Sequence, residues 1–526
     1  MSTAKPTRLE HILAALILIA AGLQLLISCY YAWGFTTDDA FISWRYARHL
    51  AEGHGFHWNN AGVAVEGYSN FAWVILASLF FKLGLPIALS VKSFACLSLA
   101  TALVFLYQLS RTFLSLLPAT LPVFLFSHYN GVVWWTVSGL ETSLYIALAL
   151  FVTWQSVRAM GFVKGGKKPN PLIYNSGAWI YACLGLTLLS LTRFDGIVWA
   201  IIIAAFISCS IYRSAEFKFQ YPSLISLFII FFALPYVAYF VWRMYYFEQF
   251  LPNSYACKAL ANGYMFQLII DYLPLAFPCI VLGLPYFFSS KDCRHILLWL
   301  PSLLYTLLLY HADPVIAYYN RLFLAAFSVL TLLPVLGIQE FFSYFHFHAR
   351  NNAIASTLVI LLFTYIFIPG NQINTIKTAV EHYQQRSNMR LQIAQQLNRD
   401  APFGARILLA DCGVIPFFAR SDLMFIDSLC LNNKDMTRKI WRSIPLYAKY
   451  IQSVIKPEWV IDTYYPKLHH GNILNRELRK MGFYNKYTLL TTYQSQRFAY
   501  VKGKPTVQEV DFVYRLYTQN GIAQKE

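Results

Sequence analysis

Eleven apolar runs, each about as long as a lipid bilayer is thick, leave this chain few ways to fold. They fall near residues 11–33, 91–110, 113–134, 141–158, 176–191, 196–212, 222–243, 264–288, 295–311, 320–342 and 353–369, and a helix needs roughly 20 such residues to cross the hydrocarbon core. Lipid offers no partner to a bare amide or carbonyl, so runs of this kind must be helical. Of the 526 residues, 57% are hydrophobic and 13% charged, against about a quarter charged in water-soluble domains. The pattern predicts an α-helical polytopic membrane protein with eleven crossings. The first run follows Lys5 and Arg8; its length and the lack of a small-x-small exit make it an uncleaved helix rather than a signal peptide.

Lysines and arginines in short loops orient the chain. Arg158 to Lys168, with Lys164 and Lys167, forms the clearest basic loop; Arg213 with Lys218 and Lys291 with Arg294 occupy alternate later ones. All three belong inside if the N-terminus is cytoplasmic, the C-terminus is outside and Phe71–Leu83 is re-entrant or interfacial. Twelve crossings would put the tail inside or reverse the basic loops. Residues 1–370 then form the membrane part, with a first outward loop at 34–70, and residues 371–526 a soluble α/β domain. That tail holds 22 basic and 12 acidic residues of a chain with net charge +17. Helical spacing runs from Ile376 to Ala394, and strand-like runs follow at 406–411, 423–427 and 459–462, with a hairpin at 487–493 and 497–502. The nine cysteines show no C-x-x-C spacing. Cys412 and Cys430 could pair in an oxidising compartment, or stand as two buried thiols.

The first loop carries the chemistry. It opens Thr36-Thr37-Asp38-Asp39-Ala40, and two adjacent carboxylates at a membrane surface are costly unless used. One can take a proton from a sugar hydroxyl while its neighbour raises its basicity; the alternative is a helix cap, for which one Asp suffices. Trp58, Glu66, Tyr68 and Asn70 follow, with Arg45 between. Aromatic faces interleaved with fixed polar groups suit a polyhydroxylated ligand, or an interfacial aromatic belt. Further polar residues recur at outward helix ends: Glu141, Arg193, Asp195, Lys258, His311, Asp313 and Arg321.

The stretch Asp38-Asp39-Ala40-Phe41-Ile42, Arg45-Tyr46, Gly53 with Gly55, Trp58-Asn59 and Val65 to Phe71, together with Gly139-Leu140-Glu141-Thr142, resembles the GT-C superfamily of membrane glycosyltransferases. Within it the match is to the terminal arabinofuranosyltransferases of actinobacterial cell-wall synthesis, and it covers most of the membrane part. The resemblance implies a GT-C fold and an enzyme that passes a sugar from a polyprenyl-phosphate-sugar donor to a glycan or glycolipid acceptor on the outer side of the membrane. It makes Asp38 or Asp39 the general base. Arg193-Phe194-Asp195-Gly196 and His311-Ala312-Asp313-Pro314 depart from the family's Arg-Pro-Asp-Gly and Gly-Asp-containing turns; these departures touch the identity of the sugar rather than the reaction class.

The expected activity is inverting glycosyl transfer (EC 2.4 class), of a pentose or hexose. Asp38 is the base and Asp39 its partner. Arg193, Lys258 and Arg321 are candidates for the donor phosphate. Arg45, Trp58, Glu66, Tyr68, Asn70, Glu141, Asp195, His311 and Asp313 are candidates for sugars. No cofactor is expected; a divalent metal on the two Asp carboxylates is the alternative, without an evident third ligand. The expected partners are the lipid-linked donor, the glycan or glycolipid acceptor and membrane lipid, with no nucleic-acid motif present. High Lys and aromatic content with modest Ala fits a Gram-negative inner membrane. The rival functions are a transporter or flippase for lipid-linked sugars, which would place charges near the bilayer midplane, and an O-antigen-ligase-like transferase, whose functional loop comes late in the chain.

Overall fold

A computed structural model describes residues 6–60, 62–163, 168–258, 266–289, 291–310, 317–345, 349–434, 443–466, 470–499 and 508–521. The chain folds into two compact units. One comprises Met1–Trp33, Lys92–Val241 and Asn262–Ile376; the other comprises Gly34–Val91, Trp242–Ala261 and Lys377–Glu526. The first loop, 34–70, falls in the same unit as the tail.

Among the described residues, six helices are long and apolar enough to cross a membrane: Arg8–Ala32, Ile87–Phe113, Phe194–Arg213, Glu216–Phe247, Gln267–Ser289 and Arg321–Tyr344. With shorter apolar helices at Ser176–Thr192, Cys293–Leu308 and Asn351–Phe367, they make a multi-pass membrane protein. The first helix is started by Thr7 and Glu10, each side chain taking the other's backbone N–H, which satisfies two amides that no earlier turn could reach. Arg321–Tyr344 is 83% buried, so it is enclosed by protein rather than lipid.

The run expected at 113–134 is not one crossing. Pro118 opens a 3₁₀ turn and Pro122 lies in the first turn of Leu121–His128, both where a missing N–H costs nothing. Tyr129 is extended, and a second helix, Asn130–Val137, meets Thr142–Ala159 at 116°. Phe71–Lys82, in the second unit, has 12 residues, about 18 Å of helix, short of a hydrocarbon core of about 30 Å.

The second unit is built on a six-stranded sheet: β1 Arg406–Leu409, β2 Met424–Asp427, β3 Trp459–Tyr465, β4 His470–Gly471, β5 Tyr487–Ala499 and β6 Gln508–Gln519, ordered β2-β1-β3-β6-β5 with β4 beside β3. β1 pairs in parallel with β2 and β3, whereas β6 is antiparallel to β3 and β5. Leu408, Val460 and Tyr517 from the strands bury against Tyr447, Ile451, Leu474, Leu478 and Phe483. Ile373–Asp400 is a single 28-residue helix, longer than its apolar spacing indicated. The hairpin differs from expectation: 487–499 is one strand, bulged at Leu489/Thr491, and its partner is 508–519. Residues 500–502 lie outside the described residues.

Of the two alternatives for Cys412 and Cys430, a mutual bond or two buried thiols, neither holds for both residues. Cys430 is bonded to Cys257, 173 residues away, with Cα atoms 5.9 Å apart, and Cys412 is a buried free thiol. Two neighbouring cysteines of the tail compete with a third that only the fold brings near. Peptide mapping under non-reducing conditions should recover a cross-linked 257–430 peptide that reduction releases, with Cys412 alkylated only after denaturation. A 412–430 link would contradict the fold.

Candidate functional site

Asp38 and Asp39 occupy the first turn of the helix Asp38–Ala51. Asp38 does not cap its own helix. Its Oδ2 accepts the Gly413 N–H and its Oδ1 the Val414 N–H, both at 3.0 Å, at the start of the short helix Val414–Phe418. Arg390, from the long helix, approaches Oδ1 with Nη1 at 3.4 Å and reaches Asp411 Oδ2 with Nη2 at 2.7 Å. Its Nε donates to Tyr514 Oη at 2.7 Å, and that hydroxyl donates to Asp411. One guanidinium therefore serves two carboxylates and a phenol. Burial raises the Asp38 carboxyl above the ordinary range and the Asp411 charge adds to it, while Arg390 and the two amides oppose the shift. Gly413 is required: a Cβ there would overlap the Asp38 backbone and carboxyl. Asp39 is half-buried beside this anchor.

The expected sugar-binding residues of the loop are packed interior. Arg45 is 0% exposed; its Nε donates to Trp58 O at 2.8 Å and its Nη1 to Pro416 O, with the guanidinium 5.2 Å from the Trp58 ring and 5.3 Å from Phe425. Trp58 packs tilted and Tyr68 edge-on against the Tyr46 ring. Asn70 accepts the Ser43 hydroxyl at 3.1 Å and stands immediately before Phe71–Lys82. Asn59 donates to Phe425 O at 3.0 Å and accepts its N–H at 3.1 Å, closing the edge of β2 that would otherwise be unpaired. Gly67 allows Tyr46 Oη to take its N–H at 3.2 Å and to donate to Asn432 Oδ1 at 3.1 Å; a Cβ at 67 would strike both. These contacts bury the aromatic loop against the tail, which leaves its rings little face for a ligand.

Glu66 is 2% exposed and bound by Arg243 Nε at 2.6 Å. Burial outweighs that partner and pushes Glu66 up to about 7. Arg243 also donates to Phe250 O at 2.9 Å, which leads into the helix Asn253–Lys258. Asn253 donates to Cys430 O and Leu431 O, both at 2.7 Å, beside the disulfide. Lys258 ends that helix; its side chain lies outside the described residues, as do His311 and Asp313.

A second charged group stands in the other unit. Glu141, at the cap of Thr142–Ala159 behind the left-handed turn at Gly139, is 2% exposed. Its Oε1 accepts Arg321 Nη2 at 2.9 Å and Arg193 Nη1 at 3.4 Å. Arg193 also grips Asp195 with Nε at 2.9 Å and Nη2 at 3.2 Å. Arg321 lies over Trp135 and Arg193 over Tyr145, at 4.8 and 5.1 Å. Two guanidiniums and two carboxylates balance, so Glu141 and Asp195 hold the arginines in place. Among the described residues, no group of three His, Cys, Asp or Glu converges as a metal site. The sequence reading missed Arg390, Arg243 and Asp411. Arg386 and Arg390, one turn apart in a helix with apolar spacing, were the available signal, since a cation on such a helix needs a partner.

By structure, the chain is similar to ArnT from Cupriavidus metallidurans bound to undecaprenyl phosphate, with a TM-score of 0.56 at 10% identity over 97% of this chain and 99% of that one. It is also similar to the Archaeoglobus fulgidus oligosaccharyltransferase tethered to an acceptor peptide (TM-score 0.53, 11% identity, 84% of this chain and 68% of that one). The AglB oligosaccharyltransferase from the same organism, in complex with an inhibitory peptide and a dolichol-phosphate, gives 0.51 at 12% identity, over 84% and 69%. The fold is that of the GT-C membrane proteins. Residues 374–516 match a family model described as a domain of unknown function, DUF8728. No curated protein matches the sequence.

Two outcomes test this geometry. Arg390→Met removes the cation from two carboxylates that are only 15% and 16% exposed, and should cost roughly 3 kcal/mol of stability, read by thermal unfolding in detergent. Glu66 has a folded pKa above its unfolded value of 4.5, so the folded state holds the extra proton and stability falls as pH rises from about 4.5 to 7. Glu66→Gln should flatten that slope, by on the order of 1–3 kcal/mol across the window.

Proposed function

We propose that the protein is an inverting glycosyltransferase that moves a pentose or hexose from a polyprenyl-phosphate-sugar donor to a cell-envelope glycan or glycolipid. The observation that carries this reading is the end-to-end likeness to a fold crystallised with undecaprenyl phosphate, combined with the carboxylate pair at residues 38 and 39. Fold alone is an analogy, so the chemistry must come from the residues.

In the transfer, an acceptor hydroxyl attacks the anomeric carbon, its proton passes to a carboxylate, and the bond to the donor phosphate breaks with its electron pair leaving on phosphate. Phosphate departs readily, so one base and cationic stabilisation suffice. Both oxygens of Asp38 are engaged by amides, which suits an anchor. In this reading Asp39, beside Asp38 in the first turn of the same helix, is the base, and Asp38 holds it in register. Arg193, Arg321 and Lys258 remain the candidates for phosphate, with Glu141 and Asp195 positioning the arginines rather than binding sugar. The Cys257–Cys430 bond favours an oxidising compartment for the tail, which supports a periplasmic C-terminal domain and a cytoplasmic N-terminus.

In a direct assay with radiolabelled prenyl-phosphate sugars, Asp39→Asn should lower kcat by roughly 100-fold or more with donor affinity kept and unfolding temperature unchanged. Asp38→Asn should lower the unfolding temperature and reduce activity in step with it. If Asp39→Asn keeps most of its turnover while Asp38→Asn abolishes it in a stably folded protein, Asp38 is the base. Accessibility of cysteines introduced at Leu172, which is 91% exposed, and Phe403, 87% exposed, decides orientation; labelling of both from one side would exclude a cytoplasmic 158–176 loop combined with a periplasmic tail.

A further inference from the structure

The sheet of the second unit has two faces, and the site described above uses one. Along β6, Tyr514 reaches Arg390 and Asp411, so Arg515, its neighbour, points to the opposite face. There β6 and β3 place Arg515 directly across from Asp462. Arg476 and Arg479, from the helix Ile473–Lys480, complete the rim of a cavity of about 260 Å³ that Asp462, Tyr464 and Asn475 also line, at the small end of ligand sites.

The charges do not cancel. Asp462, 1% exposed, accepts from Arg479 and from Asn475 Nδ2 at 2.7 Å. Arg515 lies 4.3 Å from the Tyr464 ring. Three guanidiniums face one carboxylate, an excess of two positive charges. Asn475 is 2% exposed, and its amide orientation is fixed by the bond to Asp462; its Oδ1, turned the other way, is buried with no donor among the described residues. A buried carbonyl without a donor is unfavourable, and a ligand hydroxyl would relieve it.

We propose that this cavity binds a saccharide bearing a phosphate or carboxylate. The arginines take the anion, by bidentate charge-assisted bonds, and the Asn475 carbonyl takes an adjacent hydroxyl, which an anion without hydroxyls lacks. On the transferase reading above, the natural source is an acidic acceptor glycan; the binding itself does not depend on that reading.

The test titrates full-length protein in zwitterionic nanodiscs with glucose 6-phosphate, glucuronate and glucose, followed by saturation-transfer NMR, and with inorganic phosphate, followed by its displacement of glucose 6-phosphate. The two acidic sugars should bind saturably and more weakly as salt rises. Arg476→Gln and Arg515→Gln should each weaken them at least tenfold, in protein whose unfolding temperature is that of the parent. Equal binding of glucose, equal binding of inorganic phosphate, no saturable binding of any probe, or full affinity in both variants overturns the proposal. Loss of sugar binding in phosphatidylglycerol nanodiscs would assign the cavity to lipid headgroups instead, and also overturns it. Asp39→Asn should leave probe affinity unchanged, so failure of the catalytic assignment and failure of this site give different results.

Discussion

A carboxylate removed from water beside a second carboxylate is tolerated only when something pays for both charges, and in this protein that is Arg390. It joins Asp38, from the first loop, to Asp411 and Tyr514, from the sheet. The amides of Gly413 and Val414 finish the coordination of Asp38. With Arg45 on Pro416 and Tyr46 on Asn432, this cluster fixes the helix carrying Asp39 to the tail. Losing one partner from such a group costs more than the group contributes as a whole, because a buried charge is left behind.

The rest of the second unit repeats the device with neutral partners. Asn59 closes the edge of β2, Tyr46 and Gly67 meet Asn432, and Asn253 and Cys257 fasten a third segment at Cys430. Each joins residues far apart in sequence through a polar bond inside an aromatic core. Ring contacts alone fix distance loosely, whereas hydrogen bonds fix direction. A loop that must present a carboxylate in one orientation gains from both.

In the first unit, the balanced quartet of Glu141, Arg193, Asp195 and Arg321 does a related task at helix ends. Four charges in low-dielectric surroundings are stable only as mutual partners, and their aromatic neighbours Trp135 and Tyr145 restrict where the guanidiniums can go. A ligand anion meeting this group would find its cations already oriented, at the cost of competing with two carboxylates.

Much was legible without coordinates. Apolar runs of bilayer length are read from composition alone, since lipid permits only helices there, and the change at Asn371 announced an α/β tail whose first three strands lie within two or three residues of their expected places. The Asp pair at a helix start was legible for the same local reason. What tertiary structure decided depends on partners brought from afar: Asp38 meets Val414 across 376 residues, and Cys430 pairs with Cys257 rather than Cys412. Trp58, Tyr68 and Asn70 look like ligand-binding residues in sequence because an aromatic ring with polar neighbours suits a sugar and a packed interior equally well. Only burial separates the two, and burial is a property of the whole fold.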